Sequence, residues 1–137
     1  RWCMFDTVTF SVLPTGAFFK EGACDGYNTE RSIDFKNWKI PHIGDSGCVY
    51  SKVIKYSDYD HYFHVNNTKY ADFSIDVFSV EELKGKYVKS MQITYVKQCK
   101  YGEKLDFYRN DCGSYTIIEG RVGDEIRVQM KVEFDVL

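Results

Sequence analysis

One fifteen-residue stretch, YSDYDHYFHVNNTKY at positions 56–70, concentrates side chains that are capable of catalysis. Asp60 and His64 lie four residues apart in it. A carboxylate and an imidazole can orient one another and activate a water molecule, or the carboxylate can attack directly. The alternative is a solvated surface loop whose aspartate caps a turn. The residues that follow the histidine decide between the two, because the start of a helix can hold an oxyanion on its N–H groups. These candidate donors are Val65, Asn66 and Asn67.

A helix is predicted directly after this stretch. Asn67 is a good helix N-cap, and Tyr70, Phe73 and Val77 then recur at i, i+3 and i+7. This spacing is typical of an amphipathic helix with one apolar face. The helix would place its N-terminal end beside Asp60 and His64.

Strands are predicted on both sides of the helix. Ser79 and Glu82 have the spacing of a capping box, which indicates a second short helix ending at Gly85. The clearest strand covers residues 126–136, where apolar and charged residues alternate and predict one buried and one wet face. The other predicted strands are 48–56, 87–99, 105–109 and 114–121. Turn signals at 101–103, 110–111 and 122–124 predict hairpins between them.

The order of these elements is strand, helix and four antiparallel strands. A long helix before a strand meander is best buried when the sheet wraps around it. We therefore predict an α+β hotdog fold, an antiparallel β-sheet wrapped around a central α-helix. Residues before position 48 lack clear periodicity and hold both prolines, which is typical of a linker or a wrapping segment.

Composition excludes several classes of function. A chain of 137 residues suits one domain or one domain plus part of another. Its net charge of −2 without a basic block argues against nucleic acid as partner. No apolar run approaches the ~18 residues of a membrane helix, and no C-x-x-C metal pattern appears among the five cysteines. We therefore expect no membrane, metal or cofactor, and free thiols in a cytoplasmic protein.

The stretch SDYDHYFHVNNTKY resembles the loop S-D-x-D-x-N-x-H-V-N-N-x-x-Y of acyl-ACP thioesterases, of the plant Fat type and their bacterial relatives. MQITYVKQCKYGEKL is similar to the strand end that follows in that family, and WCMFDT at residues 2–7 is similar to the strand that closes its N-terminal hotdog. Lys39-Ile40-Pro41 resembles part of the linker between the two hotdogs. The resemblance implies that residues 1–47 are the closing strand of a preceding hotdog plus a linker, and that residues 48–137 are a hotdog domain.

The resemblance also implies an activity. It implies hydrolysis of fatty acyl-ACP thioesters to free fatty acid and holo-ACP in fatty acid biosynthesis, with acyl carrier protein as partner. Residues at the positions of Asp60 and His64 belong to the family's catalytic set. The family's asparagine falls at Tyr62 and its glutamate at Gln98, and Cys99 keeps the position of a candidate catalytic thiol.

The replacements at Tyr62 and Gln98 leave more than one function open. Gln98 can position a water molecule but cannot accept its proton at neutral pH, so the role of base passes to His64 or Asp60, or is lost. The main alternative is a weakly active or non-catalytic hotdog half that binds acyl chains or completes a partner. A hotdog acyl-CoA thioesterase is a further alternative. We expect the acyl chain to contact Phe73 and Val77, and the domain to form a homo-oligomer or pair with a second hotdog because its sheet has an edge to cover.

Overall fold

A computed structural model describes residues 4–6, 8–9, 11–13, 39–44 and 47–137. The chain divides into two compact units, Arg1–Asn37 and Trp38–Leu137. In the first unit, β1 (Met4–Phe5) pairs antiparallel with β2 (Val12–Leu13). The rest of the predicted first strand, at residues 2 and 3, lies outside the described residues. The assignment of residues 1–47 to a preceding hotdog and a linker stays a prediction.

The second unit contains a five-stranded antiparallel sheet and two helices, and the predicted α+β hotdog fold is confirmed. The sheet has the strand order β3-β5-β6-β7-β4. Its elements are β3 (Cys48–Val53), a 3-10 turn (Tyr56–Asp58), α1 (Asn67–Ile75), α2 (Val80–Leu83), β4 (Lys86–Tyr95), β5 (Lys104–Asp111), β6 (Thr116–Val122) and β7 (Glu125–Val136). Among the described residues no helix could span a membrane.

The core lies between α1 and one face of the sheet. Tyr70, Phe73 and Val77 are buried at the predicted helical spacing. The sheet contributes alternate residues of its central strands to this core, because successive side chains of a strand point to opposite faces. These buried residues are Leu105, Phe107, Ile118, Val128, Met130 and Val132. The alternation predicted for β7 is thus confirmed for the apolar residues at its centre, whereas Val136 near its end is exposed.

Gly120 lies in the middle of β6, where the core leaves no room for a side chain. A Cβ atom there would lie 2.8 Å from Val128 Cγ1 and 2.9 Å from Phe107 Cε1. Both neighbours are fully buried. Gly120 therefore lets these two side chains close over the strand.

We expect Gly120→Ala to lower the free energy of unfolding by roughly 1–3 kcal/mol, since extra volume in a close-packed core displaces its neighbours. Chemical denaturation measures this change. Gly47→Ala is the matched control, because no atom lies within 4 Å of a Cβ at that position. Equal unfolding midpoints for the two variants would contradict this account of β6.

The opposite face of the sheet is covered in part by residues 39–44. Ile40 and Ile43 are buried against Ile117. The main chain of Ile43 is also held, because its N–H donates to Glu119 Oε2 at 3.3 Å and its oxygen accepts from Arg121 Nη2. Residues 39–44 of the predicted linker therefore belong to the second unit and pack against its sheet.

Several helix and strand ends differ from their predictions; among the strands, β3 ends at Val53 and not at residue 56. The N-cap of α1 is Asn66, whose Oδ1 accepts from Thr68 N–H at 3.0 Å, and Asn67 is the first helical residue. Both asparagines are good N-cap residues, and only the backbone conformation shows which of them caps the helix. The strand β4 ends at Tyr95 and not at residue 99, because Val96 and Lys97 both donate to the oxygen of Arg127 and end the regular ladder.

Two further predictions on the strands are wrong. Asn110 and Asp111 belong to β5, and the turn that follows contains Gly113 at φ 77°. The alternation of residues 126–136 predicts Arg127 on the wet face of β7, but Arg127 is buried. Its guanidinium is covered because it binds Glu103 and Glu125.

Candidate active site

The loop that precedes α1 folds back on itself around Asp60. The N–H of Asp60 donates to His64 O at 2.8 Å. Its Oδ1 accepts from the main-chain N–H groups of Tyr62 at 2.9 Å and of His64 at 3.1 Å. Tyr59 and Val65 form an antiparallel bridge at the base of this turn. Asp60 therefore fixes the backbone of His64.

Asp58 closes the base of the same loop. It is buried, and its Oδ2 accepts from Lys55 N–H at 2.7 Å and lies 3.3 Å from Lys52 Nζ. Its main-chain oxygen accepts from Asn66 N–H at 2.9 Å. The carboxylate thus holds the start of the loop and the carbonyl holds its end. Sequence reasoning missed this role, although an acidic side chain three residues after an N-cap can accept from the N-cap N–H, as in a capping box.

The tip of the loop is strained and exposed. Phe63 has φ 58°, a left-handed conformation that favours glycine over a residue with a bulky side chain. The side chain of Tyr62 is 70% exposed, and its ring lies 3.8 Å from that of His61. Tyr62 therefore does not occupy the interior of the site.

A cleft of about 180 Å³ lies beside the N-terminal end of α1. It brings His64 of the loop together with Gln98 of the segment between β4 and β5. The complete lining is His64, Val65, Asn67, Tyr70, Tyr95, Val96, Lys97 and Gln98. An imidazole, a neutral amide and the start of a helix therefore share one concave surface.

The three predicted oxyanion donors have different surroundings. Val65 and Asn67 line the cleft, whereas the N–H of Asn66 already donates to Asp58 O and its side chain caps the helix. The first N–H groups of a helix have no intrahelical acceptor, and Asn67 opens α1. Tyr95 Oη donates to the oxygen of Asn67 at 3.2 Å and so steadies this end of the helix.

The other predicted site residues lie elsewhere. Phe73 and Val77 belong to the buried core and do not line this cleft, so their contact with an acyl chain stays a prediction. Asp60 and Tyr62 lie in the loop but outside the lining. Sequence reasoning missed Tyr95 and Lys97 as lining residues. Val96 lies between them in the lining, so a strand period of two could not have found this set: β4 ends at Tyr95, and residues 95–98 all line the cleft.

Cys99 is enclosed by the residues around the cleft. It is 1% exposed, and its N–H donates to Tyr70 Oη at 2.8 Å. Burial raises the pKa of its thiol, which favours the protonated form over the nucleophilic thiolate. Burial likewise raises the pKa of the Tyr70 hydroxyl. These surroundings suit a structural cysteine.

We expect Cys99 to resist alkylation in the folded protein, because its sulfur is buried and its pKa is raised. Cys48 is exposed and provides the internal comparison. Mass spectrometry after iodoacetamide treatment should find modified Cys48 in the native protein and modified Cys99 only after denaturation. Rapid native modification of Cys99 with parallel loss of activity would restore it as a candidate nucleophile.

Comparisons with known proteins agree with the fold of this domain. Residues 49–135 match the family model of the acyl-ACP thioesterase C-terminal domain. An acyl-ACP thioesterase from Bacteroides thetaiotaomicron has the same fold with a TM-score of 0.75 at 20% sequence identity, over 96% of this chain and 53% of that one. The 12:0-ACP thioesterase from Umbellularia californica gives 0.69 at 18%, over 97% and 53%.

A thioesterase from Thermus thermophilus, in complex with coenzyme A and zinc, is also similar. Its TM-score is 0.54 at 15% identity, over 64% of this chain and 77% of that one. No curated protein matches the sequence. The chain spans about half the length of the two acyl-ACP thioesterases. On the match of residues 49–135, the chain belongs to the acyl-ACP thioesterase family and contains its C-terminal domain.

Proposed function

We propose that this chain takes part in hydrolysing fatty acyl-ACP thioesters to free fatty acid and holo-ACP. The observation that carries the proposal is the shared cleft of His64 and Gln98 at the start of α1. Family membership supports a thioester hydrolase in general. The choice of acyl carrier protein follows the family and the two acyl-ACP thioesterases of like fold.

The proposed reaction uses water as nucleophile. His64 accepts a proton from a water molecule, whose oxygen attacks the thioester carbonyl carbon. The oxyanion that forms is held by the main-chain N–H of Asn67, the first residue of α1. The carbon–sulfur bond then breaks, and the thiolate takes the proton from His64. The products are a carboxylic acid and a free thiol.

Two other residues assist in this scheme. The amide of Gln98 can accept from and donate to the attacking water, but it removes no proton. Asp60 holds the main chain of His64 at both its N–H and its oxygen. A direct chemical role of the Asp60 carboxylate remains the competing hypothesis, and an amide replacement separates the two, as discussed below.

The test is a substrate panel. Acyl-ACP and acyl-CoA of several chain lengths are offered to the wild type and to His64→Ala. Faster turnover of acyl-ACP, lost in the variant, is the expected result. Faster turnover of acyl-CoA would instead assign the protein to the acyl-CoA thioesterases, and equal rates in both proteins would refute the proposed site.

A non-catalytic or weakly active domain is the second candidate, and Gln98 favours it because an amide cannot serve as a base. If the site has decayed, Gln98→Glu should raise a near-zero kcat by roughly 10²- to 10⁴-fold, the usual contribution of a positioned base. A lower kcat in this variant would contradict decay and assign Gln98 a working role. Gln98→Asn is the control, because it keeps a neutral amide and changes only its distance from the backbone.

We also propose that β4 pairs with a second hotdog, either a second copy of this chain or a preceding domain. Among the described residues β7 is the strand with which β4 pairs in the sheet, and β4 lies at the end of the strand order. Its Met91 and Tyr95 stand opposite the fully buried Val132 and Val128, yet are 40% and 46% exposed. The apolar face of the sheet therefore continues past the cover of α1, as expected for an edge that another chain completes.

Light scattering combined with size-exclusion chromatography tests this pairing. Met91→Lys is expected to shift a homodimer toward monomer, because it places a charge on the face to be covered. Lys89→Arg, on the same strand, is the control that keeps the charge. A wild type that is monomeric and still hydrolyses acyl thioesters would exclude a second copy of this chain as the partner.

A further inference from the structure

The peptide group that joins Gln98 to Cys99 is held from both sides. Its oxygen, that of Gln98, accepts from Arg127 Nη1 at 2.9 Å. Its N–H, that of Cys99, donates to Tyr70 Oη at 2.8 Å. One holding residue comes from the helix α1 and the other from the strand β7. The position and the rotation of this peptide plane are therefore both determined.

Three of the four residues in this contact are buried, and Gln98 is exposed. Tyr70 is 3% exposed, Arg127 is 5% exposed and Cys99 is 1% exposed. A buried hydrogen bond is costly to lose, because its remaining partner has no water to replace it. The peptide group is thus held tightly where the regular ladder of β4 has already ended at Tyr95.

Arg127 also fixes the residues on either side of this peptide. Its own main-chain oxygen accepts from Val96 N–H at 2.9 Å and from Lys97 N–H at 3.2 Å. Its Nη2 lies 3.2 Å from Glu103 Oε1. The Nε atom of Arg127 is buried and has no hydrogen-bond partner among the described residues. The guanidinium is therefore oriented toward the segment 96–103 although this leaves one of its donors unsatisfied.

Gln98 itself lines the cleft together with His64. We propose that Tyr70 and Arg127 are positioning residues that hold Gln98 where it can bind the attacking water of the proposed reaction. The inference rests on the proposed hydrolase function. Small displacements of a positioned group are costly to turnover, and neither residue needs to contact substrate for this role.

The test combines Tyr70→Phe with Gln98→Ala in a double-mutant cycle. Tyr70→Phe keeps the ring in the core and removes only the acceptor of Cys99 N–H. Tyr50→Phe is the matched control, since the Tyr50 hydroxyl binds Asp76 at 3.4 Å and lies outside the cleft lining. We expect Tyr70→Phe to lower kcat by about tenfold or more with little change in KM, and Tyr50→Phe to leave both constants unchanged.

The cycle separates positioning from general destabilisation. If Tyr70 acts through Gln98, Tyr70→Phe costs no further activity once Gln98→Ala is present. The same loss of kcat in both backgrounds would overturn the inference, as would a Gln98→Ala variant with wild-type kcat. Arg127→Lys is a second variant for the same cycle, because it keeps the positive charge and the long stem while changing the donor geometry.

Failure of the inference and failure of the proposed function give different results. A wild type that hydrolyses acyl thioesters, loses this activity with His64→Ala and shows an additive cycle refutes only the positioning role. A wild type that hydrolyses no acyl thioester refutes the proposed function, and the positioning role with it. Non-additive losses in kcat for both Tyr70→Phe and Arg127→Lys support both.

Discussion

Replacing His64 by alanine is expected to lower kcat for acyl thioester hydrolysis by roughly 10²- to 10⁴-fold, the range for loss of a positioned general base. His64 is the imidazole that lines the cleft at the start of α1. Gln98 cannot take over its role, because an amide does not accept a proton at neutral pH. The effect should appear in kcat with a smaller change in KM, since the imidazole acts on the attacking water.

His61→Ala is the matched control for this prediction. His61 lies in the same loop and is exposed like His64, but its ring contacts that of Tyr62 and it does not line the cleft. We expect its removal to leave kcat near the wild-type value. Steady-state kinetics of the two variants side by side would refute the assignment of His64 if both lost the same activity.

Asp60 variants decide how its carboxylate acts. Asp60→Asn keeps an oxygen that can accept from the main-chain N–H groups of Tyr62 and His64, whereas Asp60→Ala removes that acceptor. If Asp60 only shapes the loop, Asp60→Asn should keep most of kcat and Asp60→Ala should lose it. A loss in Asp60→Asn as large as that in His64→Ala would instead show that the charge itself takes part in the chemistry.

The largest effect on stability is expected from Glu119→Ala, which should lower the free energy of unfolding by about 3–5 kcal/mol, the cost of removing one partner from a buried ion pair. Glu119 is 0% exposed. Its carboxylate binds Arg121 Nε, and Gln129 Nε2 donates to it at 3.0 Å. Removing it leaves the guanidinium of Arg121 buried without its carboxylate.

The same carboxylate fastens residues 39–44. It accepts from Ile43 N–H, and His42 Nδ1 lies within 3.1 Å of both its oxygens. We therefore expect Glu119→Ala to increase protease cleavage near residues 39–44 as well as to lower the unfolding midpoint. Glu133→Ala is the control, because its ion pair with Lys131 is more exposed and such pairs are worth about 0–1 kcal/mol. Equal losses of stability in the two variants would contradict this account.

Glu119 also predicts a pH dependence of stability. Burial by itself raises the pKa of this carboxyl, but hydrogen bonds from Gln129, Arg121, His42 and the main chain of Ile43 outweigh it, and the net pKa is lowered. A folded-state pKa below the unfolded one stabilises the fold above the ordinary glutamate pKa of about 4.3, and this contribution is lost as the pH falls through the folded-state pKa. Denaturation midpoints of the wild type should therefore fall more steeply below that pH than those of Glu119→Gln.

Much of the fold could be predicted because its elements carry local signals. The capping box of Ser79 and Glu82 forms as predicted, with Glu82 N–H donating to Ser79 Oγ at 3.2 Å. The alternation of β7 places Val128, Met130 and Val132 in the core. Both signals depend on neighbours within a few residues, so the sequence displays them directly.

The errors arise where distant residues decide. Alternation predicts Arg127 on the wet face, but Glu103 and the segment after β4 cover it. Glu119 occupies the face of β6 away from the helix, and it is buried because residues 39–44 lie against that face. Neither covering segment is adjacent in sequence to the residue it covers.

The sequence by itself determined that the loop 57–66 leads into an amphipathic helix with Asp60 and His64 at its start, because turn, cap and periodicity are local properties. Only the tertiary structure decided which of these side chains enter the cleft. The main-chain bonds of Asp60 and the left-handed Phe63 set the course of the loop tip, where Tyr62 is exposed. Gln98 joins His64 there because Tyr70 and Arg127, from separate elements, hold its peptide group beside the helix.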